Sequence, residues 1–448
     1  MGNPTPLASA PTLTLSSHKR AYSYAVTISH LFADIHASHL PADRVIGQYF
    51  RDNKKHGSKD RRVIRESLFS MFRWWGWLAQ FSNGEIVSKQ APLPKFWFQQ
   101  LCGCAQLEQH SWQDIITAWH ELGDLFVCPD MPSETLEQKA QMLQQVMPSG
   151  VTLTLEQLVP AWFWQVTEIS EHNKPRLIAA MTSRPPIWAR AQGVSVASLV
   201  TELQQQGIDA KASEYFSDAL SLGHKSINLN DISQYQQGKI EIQDLASQVI
   251  GQVCAPKPNQ QWWDACSGAG GKSLQLASLM KAQGQGGSIV ASDIRQHALD
   301  ELIKRAKRAK VNNISIARWR SDELPVAAGS FDGVLVDAPC SCTGTWRRNP
   351  DMRWLDTQAV VDEKPQLQLD ILTRCSRAVK AGGVLVYATC SVAAAENELV
   401  VKAFLAQHPE FSIETIAHPF TGEASQMLTI WPYEADSDAM FVCRMRRI

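Results

Sequence analysis

The chain has 448 residues, longer than one hydrophobic core usually grows, so two or three domains are expected, each able to fold without disulfide or metal staples. A composition of 44% hydrophobic and 19% charged residues, with ordinary Gly and Pro usage, excludes a disordered, fibrous or low-complexity chain. The formal net charge of −1 excludes a uniformly basic nucleic-acid binder and shifts the weight to local charge clusters.

The first twenty residues, MGNPTPLASAPTLTLSSHKR, hold no apolar run behind their first charges, which predicts a flexible lead-in and neither a signal peptide nor an anchor. Pro6 stands where a myristoylation signal needs Ser or Thr. No apolar stretch approaches a membrane-spanning length, so no membrane partner is expected. Ten cysteines without a regular framework suit a reducing cytoplasm. Cys102 and Cys104 are too close for ordinary zinc spacing, and no metal is expected.

From about residue 20 to 150 apolar residues recur at three and four spacing, as in Val63, Ile64, Leu68, Met71 and Phe72, which predicts an all-α domain over 1–150. Punctuation at Pro129, Pro132 and Pro148 marks its end. Within it Arg51, Lys54, Lys55, Lys59, Arg61, Arg62 and Arg65 form a basic cluster. A small α+β segment follows over 151–235, with a Trp-rich helix from Ala161 to Ile169 and a strand-like piece from Pro186 to Arg190.

After residue 236 short apolar runs alternate with helical stretches to the end of the chain, the pattern of a mostly parallel sheet covered by helices on both faces. The runs are Trp262 to Asp264, Ser288 to Asp293, Ile314 to Arg318, Val334 to Asp337 and Val384 to Thr389. Between them lie helices such as Ala298 to Lys310, which carries a second basic cluster: Lys304, Arg305, Lys307, Arg308 and Lys310. Ligands of such α/β sheets bind beyond the carboxyl ends of the strands.

The first run leads into DACSGAGGKS, where Gly268, Gly270 and Gly271 permit a tight turn and a close approach of backbone N–H groups to a nucleotide or nucleoside. A P-loop competes, since Gly271, Lys272 and Ser273 match its end, but its first glycine would fall on Cys266. Asp293 closes the second run, where a carboxylate can accept hydrogen bonds from ribose hydroxyls. Asp322, after the third, is placed to reach an adenine amino group, and Asp337 ends the fourth.

Cys340 in DAPCSCTG and Cys390 in YATCS each follow a strand and are expected to enter one pocket. A thiolate there can add to carbon 6 of cytosine, making carbon 5 nucleophilic toward a methyl sulfonium, after which a base removes the carbon 5 proton and the thiolate leaves. Lys272 and the cationic cofactor can favour the thiolate, and Asp337 is the candidate acid near ring nitrogen 3 or the exocyclic amine. Chemistry alone does not choose between the two cysteines. Cys254, Cys266, Cys342, Cys375 and Cys443 read as small buried hydrophobes or stay unassigned.

These motifs, with KIEIQDLASQ, DAPCSCTGTWRRNPD, DSDAMFVCRM and the N-terminal ADRVIGQYFRDNKKHGSKDRRVIRESLFSMFR, resemble the Nol/Nop/Sun family of S-adenosylmethionine-dependent RNA cytosine-5 methyltransferases over nearly the whole chain. The resemblance is to the bacterial form, which implies a Rossmann-like class I methyltransferase domain over 236–448, preceded by a NusB-like RNA-binding helical domain and the small middle segment. It further implies that Cys390 is the nucleophile and that Cys340 helps release the product. Cys266, Ser267, Gly268, Ala269, Gly270, Gly271 and Lys272, with Asp293, Asp322 and Asp337, are implied to hold S-adenosylmethionine. The substrate implied is RNA, either ribosomal or transfer RNA. The chain departs from the family pattern at Ala269, usually Pro, at Cys342, usually Gly, and at PIWARAQ in the middle segment, where the usual RNA contacts are altered.

Arg347, Arg348 and Arg353 follow the Pro-Cys turn and are expected to grip phosphates beside the target base, with Trp346 and Trp354 available to stack on bases. Two other readings compete: an RNA-binding ribosome-assembly factor with a vestigial cofactor pocket, and a P-loop nucleotide hydrolase.

Overall fold

The apolar spacing that begins near residue 20 builds six helices in the first of two units: α1 (Ser16–Ser38), α2 (Ala42–Asp52), α3 (Ser58–Leu78), α4 (Lys95–Leu107), α5 (Gln113–Gly123) and α6 (Leu136–Gln144). The computed structural model describes residues 15–87, 89, 92–124, 134–284 and 286–448; Pro129 and Pro132 lie outside them. Local chemistry sets the ends. The Asp60 carboxylate accepts from the Gly57 backbone N–H at 2.8 Å at the start of α3, and Thr135 accepts from Gln138 N at 3.3 Å at the start of α6.

The core of this unit is aromatic, with Phe32 and Phe72 stacked at 4.6 Å and Trp75 and Trp97 against Phe32. Three buried indoles satisfy their N–H on backbone carbonyls: Trp77 on Thr154, Trp97 on Ala25 and Trp119 on Ala21. Residues 349–356 return from far along the chain to complete the unit. There Trp354 donates to Phe72 O at 2.6 Å and the Ala42 N–H donates to Asp351 at 2.7 Å. The helix expected over Ala161 to Ile169 is a single turn, Phe163–Val166, because Thr167 pairs instead with Ala393 as a β-bridge.

The second unit comprises residues 165–170, 183–348 and 357–448. It opens on an antiparallel sheet of β1 (Trp188–Ala191), β2 (Lys211–Ala212), β3 (Ala219–Ser221) and β4 (Ile240–Ile242), in the order β2-β3-β1-β4. The altered PIWARAQ stretch supplies β1, whose Arg190 is fully buried and donates to Gln243. This small sheet thus shares one unit with the large sheet.

The large sheet contains β5 (Gln261–Asp264), β6 (Ser288–Ala291), β7 (Ile314–Ile316), β8 (Phe331–Asp337) and β9 (Val379–Thr389), all parallel, in the order β9-β8-β5-β6-β7. Beyond β9 it turns antiparallel through β14 (Met440–Arg447), which also pairs with β10 (Phe411–Ile413) and β13 (Met427–Ile430). A small hairpin, β11 (Ile416–Ala417) with β12 (Ala424–Ser425), stands apart. Two hydrophobic clusters form on this sheet, one around Trp263, Val334, Leu385 and Phe404 and the other around Ile250, Leu276, Leu335 and Val386. Alternate residues of one strand therefore feed opposite layers, as a sheet covered on both faces requires.

Candidate active site

Strand β5 delivers the chain into the glycine bend. Gly268 (φ 53°) and Gly270 (φ 82°) hold left-handed conformations, and a Cβ at Gly270 would lie 2.4 Å from Leu302. The helix Gly271–Gln283 starts directly after it, so free N–H groups collect at the bend. Asp264 is fully buried, accepts from Ser273 at 2.6 Å, and is pushed up to about 7 by burial. The buried Ser267 hydroxyl has no hydrogen-bond partner. A bend with spare donors and an unpaired hydroxyl fits the polar edge of an adenosine-bearing group.

Asp293 lies just past β6, where its Oδ2 accepts from Gly268 N at 2.9 Å while Arg295 binds both carboxylate oxygens at 3.0 Å. Burial disfavours its charge, but these donors outweigh burial and hold the carboxyl below its usual range. A ribose arriving here competes with a solvent-exposed Arg295. Asp322 is fully exposed and pairs with Arg374 at 2.9 Å, on the loop after β7.

At the ends of β8 and β9 the two expected cysteines meet: the Cys340 and Cys390 sulfurs are 3.3 Å apart. Asp337 and Ala388 are register partners in the parallel pair, which brings the two following loops side by side. Lys272 reaches Asp337 at 2.7 Å. Burial lowers and Asp337 raises the Lys272 ammonium, with Asp337 winning, while burial raises the Asp337 carboxyl against the pull of Lys272. Asp337 can therefore hold a proton beside the two sulfurs more readily than a free aspartate.

What fixes the loops is a buried polar cluster that the sequence reading missed. Glu396, fully buried, accepts from Ser341 N at 2.8 Å, from Ser391 Oγ at 2.6 Å and from Gln368 at 2.9 Å. One carboxylate thus holds the residue after each cysteine. Gly344 donates to Cys390 O at 2.9 Å, and a Cβ there would lie 2.5 Å from Ala439 O and 2.8 Å from Cys390 O. Only glycine allows that approach. Arg348 pairs with the buried Asp438, whose carboxyl burial pushes up to about 7 against that cation.

Cys342 joins the pair as a third, exposed sulfur, in a left-handed conformation (φ 60°) that favours glycine. Hydrogen bonds from Cys340 and Cys390 pull its thiol down to about 4. Cys390 is pushed up to about 12: the Cys340 hydrogen bond and Lys272 favour its thiolate, but Cys342 and burial outweigh them. Three sulfurs this close titrate as a coupled set, in which one thiolate disfavours the next.

Two expected phosphate contacts are corrected. Arg353 is fully buried and donates to Leu158 O at 2.9 Å and Met181 O at 2.7 Å, with its pKa lowered by burial to about 9. Arg347 is buried as well, bonded to Ser183 Oγ at 2.8 Å and to Asp436. Both guanidiniums are spent on the fold and cannot reach RNA; Arg348 remains half exposed. Trp346 is fully buried and offers no face to a base, while Trp354 is half-buried and packs against the core of the first unit. In the second basic cluster, Arg305 and Arg308 clasp the buried Glu241 at 3.0 and 2.7 Å. Among the described residues, no helix is long and apolar enough to cross a membrane.

A parallel sheet with a glycine bend after its first strand, helices on both faces and an antiparallel closing strand defines the Rossmann-like methyltransferase class of fold. The family model for 16S rRNA methyltransferase RsmB/F matches residues 251–446. A probable ribosomal RNA small subunit methyltransferase B of Synechocystis is 32% identical over 330 residues, 69% of this chain and 71% of that protein. The chain belongs to this family, which is the Nol/Nop/Sun family of the sequence reading. A Bacillus subtilis relative of the same description is 32% identical over 264 residues, 56% of this chain and 57% of its own length. The match to a Yersinia pestis ribosomal RNA small subunit methyltransferase B is 30% over 302 residues, 66% of each. The chain thus spans between about half and seven-tenths of these relatives. Among solved structures, PH0851 superposes with a TM-score of 0.72 at 21% identity, covering 98% of this chain and all of that one. A methyltransferase homologue from Pyrococcus horikoshii gives 0.51 at 24% identity, covering 64% and 93%. These two likenesses speak for the fold.

Proposed function

We propose that this chain is an S-adenosylmethionine-dependent RNA cytosine-5 methyltransferase whose substrate is ribosomal RNA. The observation that carries the reading is the pair of sulfurs 3.3 Å apart beyond two adjacent parallel strands, beside the Lys272–Asp337 pair. The family model and the relatives, all described as small-subunit ribosomal RNA methyltransferases, support the RNA and the reaction class.

Cys266 to Lys272 with Asp293, Asp322 and Asp337 would hold the cofactor, which would supply an electrophilic methyl group on a sulfonium. The chain's own groups do the rest. The Cys390 thiolate adds to carbon 6 of the cytosine, and Asp337 stabilises the electron density that moves into the ring by donating a proton to nitrogen 3 or by accepting a hydrogen bond from the exocyclic amine. Lys272 keeps Asp337 oriented and favours the thiolate. Once carbon 5 carries the methyl group, a base takes its proton and the carbon–sulfur bond breaks, with Cys340 assisting that release. Lys272 favours the Cys390 thiolate against burial and Cys342, and the positive charge of a bound cofactor would act in the same direction.

The phosphate track runs along the first unit, where Arg51, Lys54, Lys55, Lys59, Arg61, Arg62 and Arg65 are all exposed on the end of α2, the loop after it and the first turns of α3. This helical unit reads as the NusB-like RNA-binding module. The test is transfer of labelled methyl groups to ribosomal RNA from cells lacking the protein. Cys390→Ser should reduce transfer to background. Transfer that persists in that variant, or that reaches only transfer RNA, contradicts the reading. An assembly factor with a vestigial pocket would bind no S-adenosylmethionine in calorimetry.

A further inference from the structure

We propose that Cys340, Cys342 and Cys390 together form a binding site for a soft thiophilic cation of the Zn2+ class, and that its occupancy withdraws the nucleophile. Their three sulfurs lie within 4.8 Å of one another, and among the described residues they are the one group of three such donors close enough to share an ion. Zinc binds thiolate sulfur at about 2.3 Å, so tetrahedral ligands sit roughly 3.8 Å apart. The Cys340–Cys390 separation of 3.3 Å and the 4.8 Å limit on the set bracket that value, so sub-ångström shifts close the site.

The donors are held in advance. Ser341 and Ser391, each next to a ligand, both bind the buried Glu396 carboxylate, so the two loops cannot drift apart independently. Cys342 is exposed and gives an ion a path inward, while Cys340 and Cys390 are half-buried behind it. At its left-handed backbone position glycine would fit without strain, and what the cysteine adds there is a sulfur within 4.8 Å of the other two, which donates to the Cys340 carbonyl at 3.5 Å. Three thiols and one fourth position open to water make a set of soft donors suited to a d10 cation. Binding releases one proton from each thiol that is protonated and involves no redox step. The ion ties up Cys390, so methyl transfer stops until a chelator removes it; that consequence rests on the function proposed above.

The probe is Cd2+ titrated into reduced, metal-free full-length protein, read by the ultraviolet sulfur-to-cadmium charge-transfer band, with Zn2+ affinity taken by competition against a chromophoric chelator. The expected result is a band saturating at one ion per chain. Cys342→Gly should bind at least about tenfold more weakly, since losing even an outer partner of a metal site costs about 10–100-fold. That variant should retain methyl transfer and resist a Zn2+ concentration that inhibits the wild type reversibly. No band, or a band that Cys342→Gly leaves unweakened, overturns the proposal. A band that behaves as expected in a protein without methyl transfer would uphold the metal site and sink the function instead.

Discussion

One buried carboxylate governs how the Cys340 and Cys390 sulfurs are presented. Glu396 satisfies a backbone N–H, a hydroxyl from each loop and the Gln368 amide in a fully buried setting. Removing it strands several neutral donors, and each buried donor left without its partner costs about 1–3 kcal/mol. Glu396→Ala is expected to lower urea stability by that order, Glu396→Gln by less; a loss under about 1 kcal/mol would mean the carboxylate is dispensable. Cys342 makes a different prediction. Its thiol, pulled down to about 4 by hydrogen bonds from its neighbours, is ionised in mildly acid solution, while Cys390, near 12, is not. Iodoacetamide near pH 6 should therefore label Cys342 first, as peptide mass mapping would show. The meeting of Cys340 and Cys390 and the placement of Asp293 and Asp337 by their strands were legible because each sits in a short motif next to an apolar run, whereas Asp322 lies on an exposed loop against Arg374. Glu396, Arg347 and Arg353 were not legible, because their partners lie 55, 89 and 195 residues away.

At the scale of elements, the parallel strands were legible from their apolar runs, with ends misjudged by a few residues: β6 stops at Ala291 and β7 at Ile316, before the polar residues that were assigned to them. The Trp-rich helix failed because pairing of Thr167 with Ala393, far along the chain, overrode local propensity. Gly344 ties the two cysteine loops together, so Gly344→Ala must part them. Misplacing reacting groups by about 1 Å costs roughly 100-fold. We expect kcat to fall by that order while the thermal midpoint drops only a few degrees. In the helical unit, His36 packs against Phe32, Phe72 and Trp75, and burial lowers its pKa to about 4. The unfolded chain takes up a proton near pH 6.5 and the folded one does not until about 4, so stability falls as pH drops between those values. Allowing for partial exposure, the loss is about 2 kcal/mol, and calorimetric midpoints at pH 7 and pH 4.5 should differ less in His36→Leu than in the wild type.

For the whole molecule, charge placement separates binding from folding. The net charge of −1 hides an exposed basic stretch on the first unit, whereas Arg347 and Arg353 are buried in their own units and serve structure. Replacing Arg61, Arg62 and Arg65 by Ala should weaken RNA binding and flatten the log Kd against log salt slope by about two, at roughly 0.7 per single-strand phosphate contact. Arg353→Ala should destabilise the protein and leave that slope unchanged. Charge sums conceal such a division, and only the fold reveals which arginines are already engaged. The central claim is covalent attachment at Cys390. Its most direct measurement is mass mapping of the RNA adduct that accumulates with Cys340→Ser in the presence of S-adenosylmethionine. The account predicts a 5-methylcytosine joined through carbon 6 to the peptide that contains Cys390. An adduct at any other residue, or none at all from a folded, cofactor-binding variant, contradicts it.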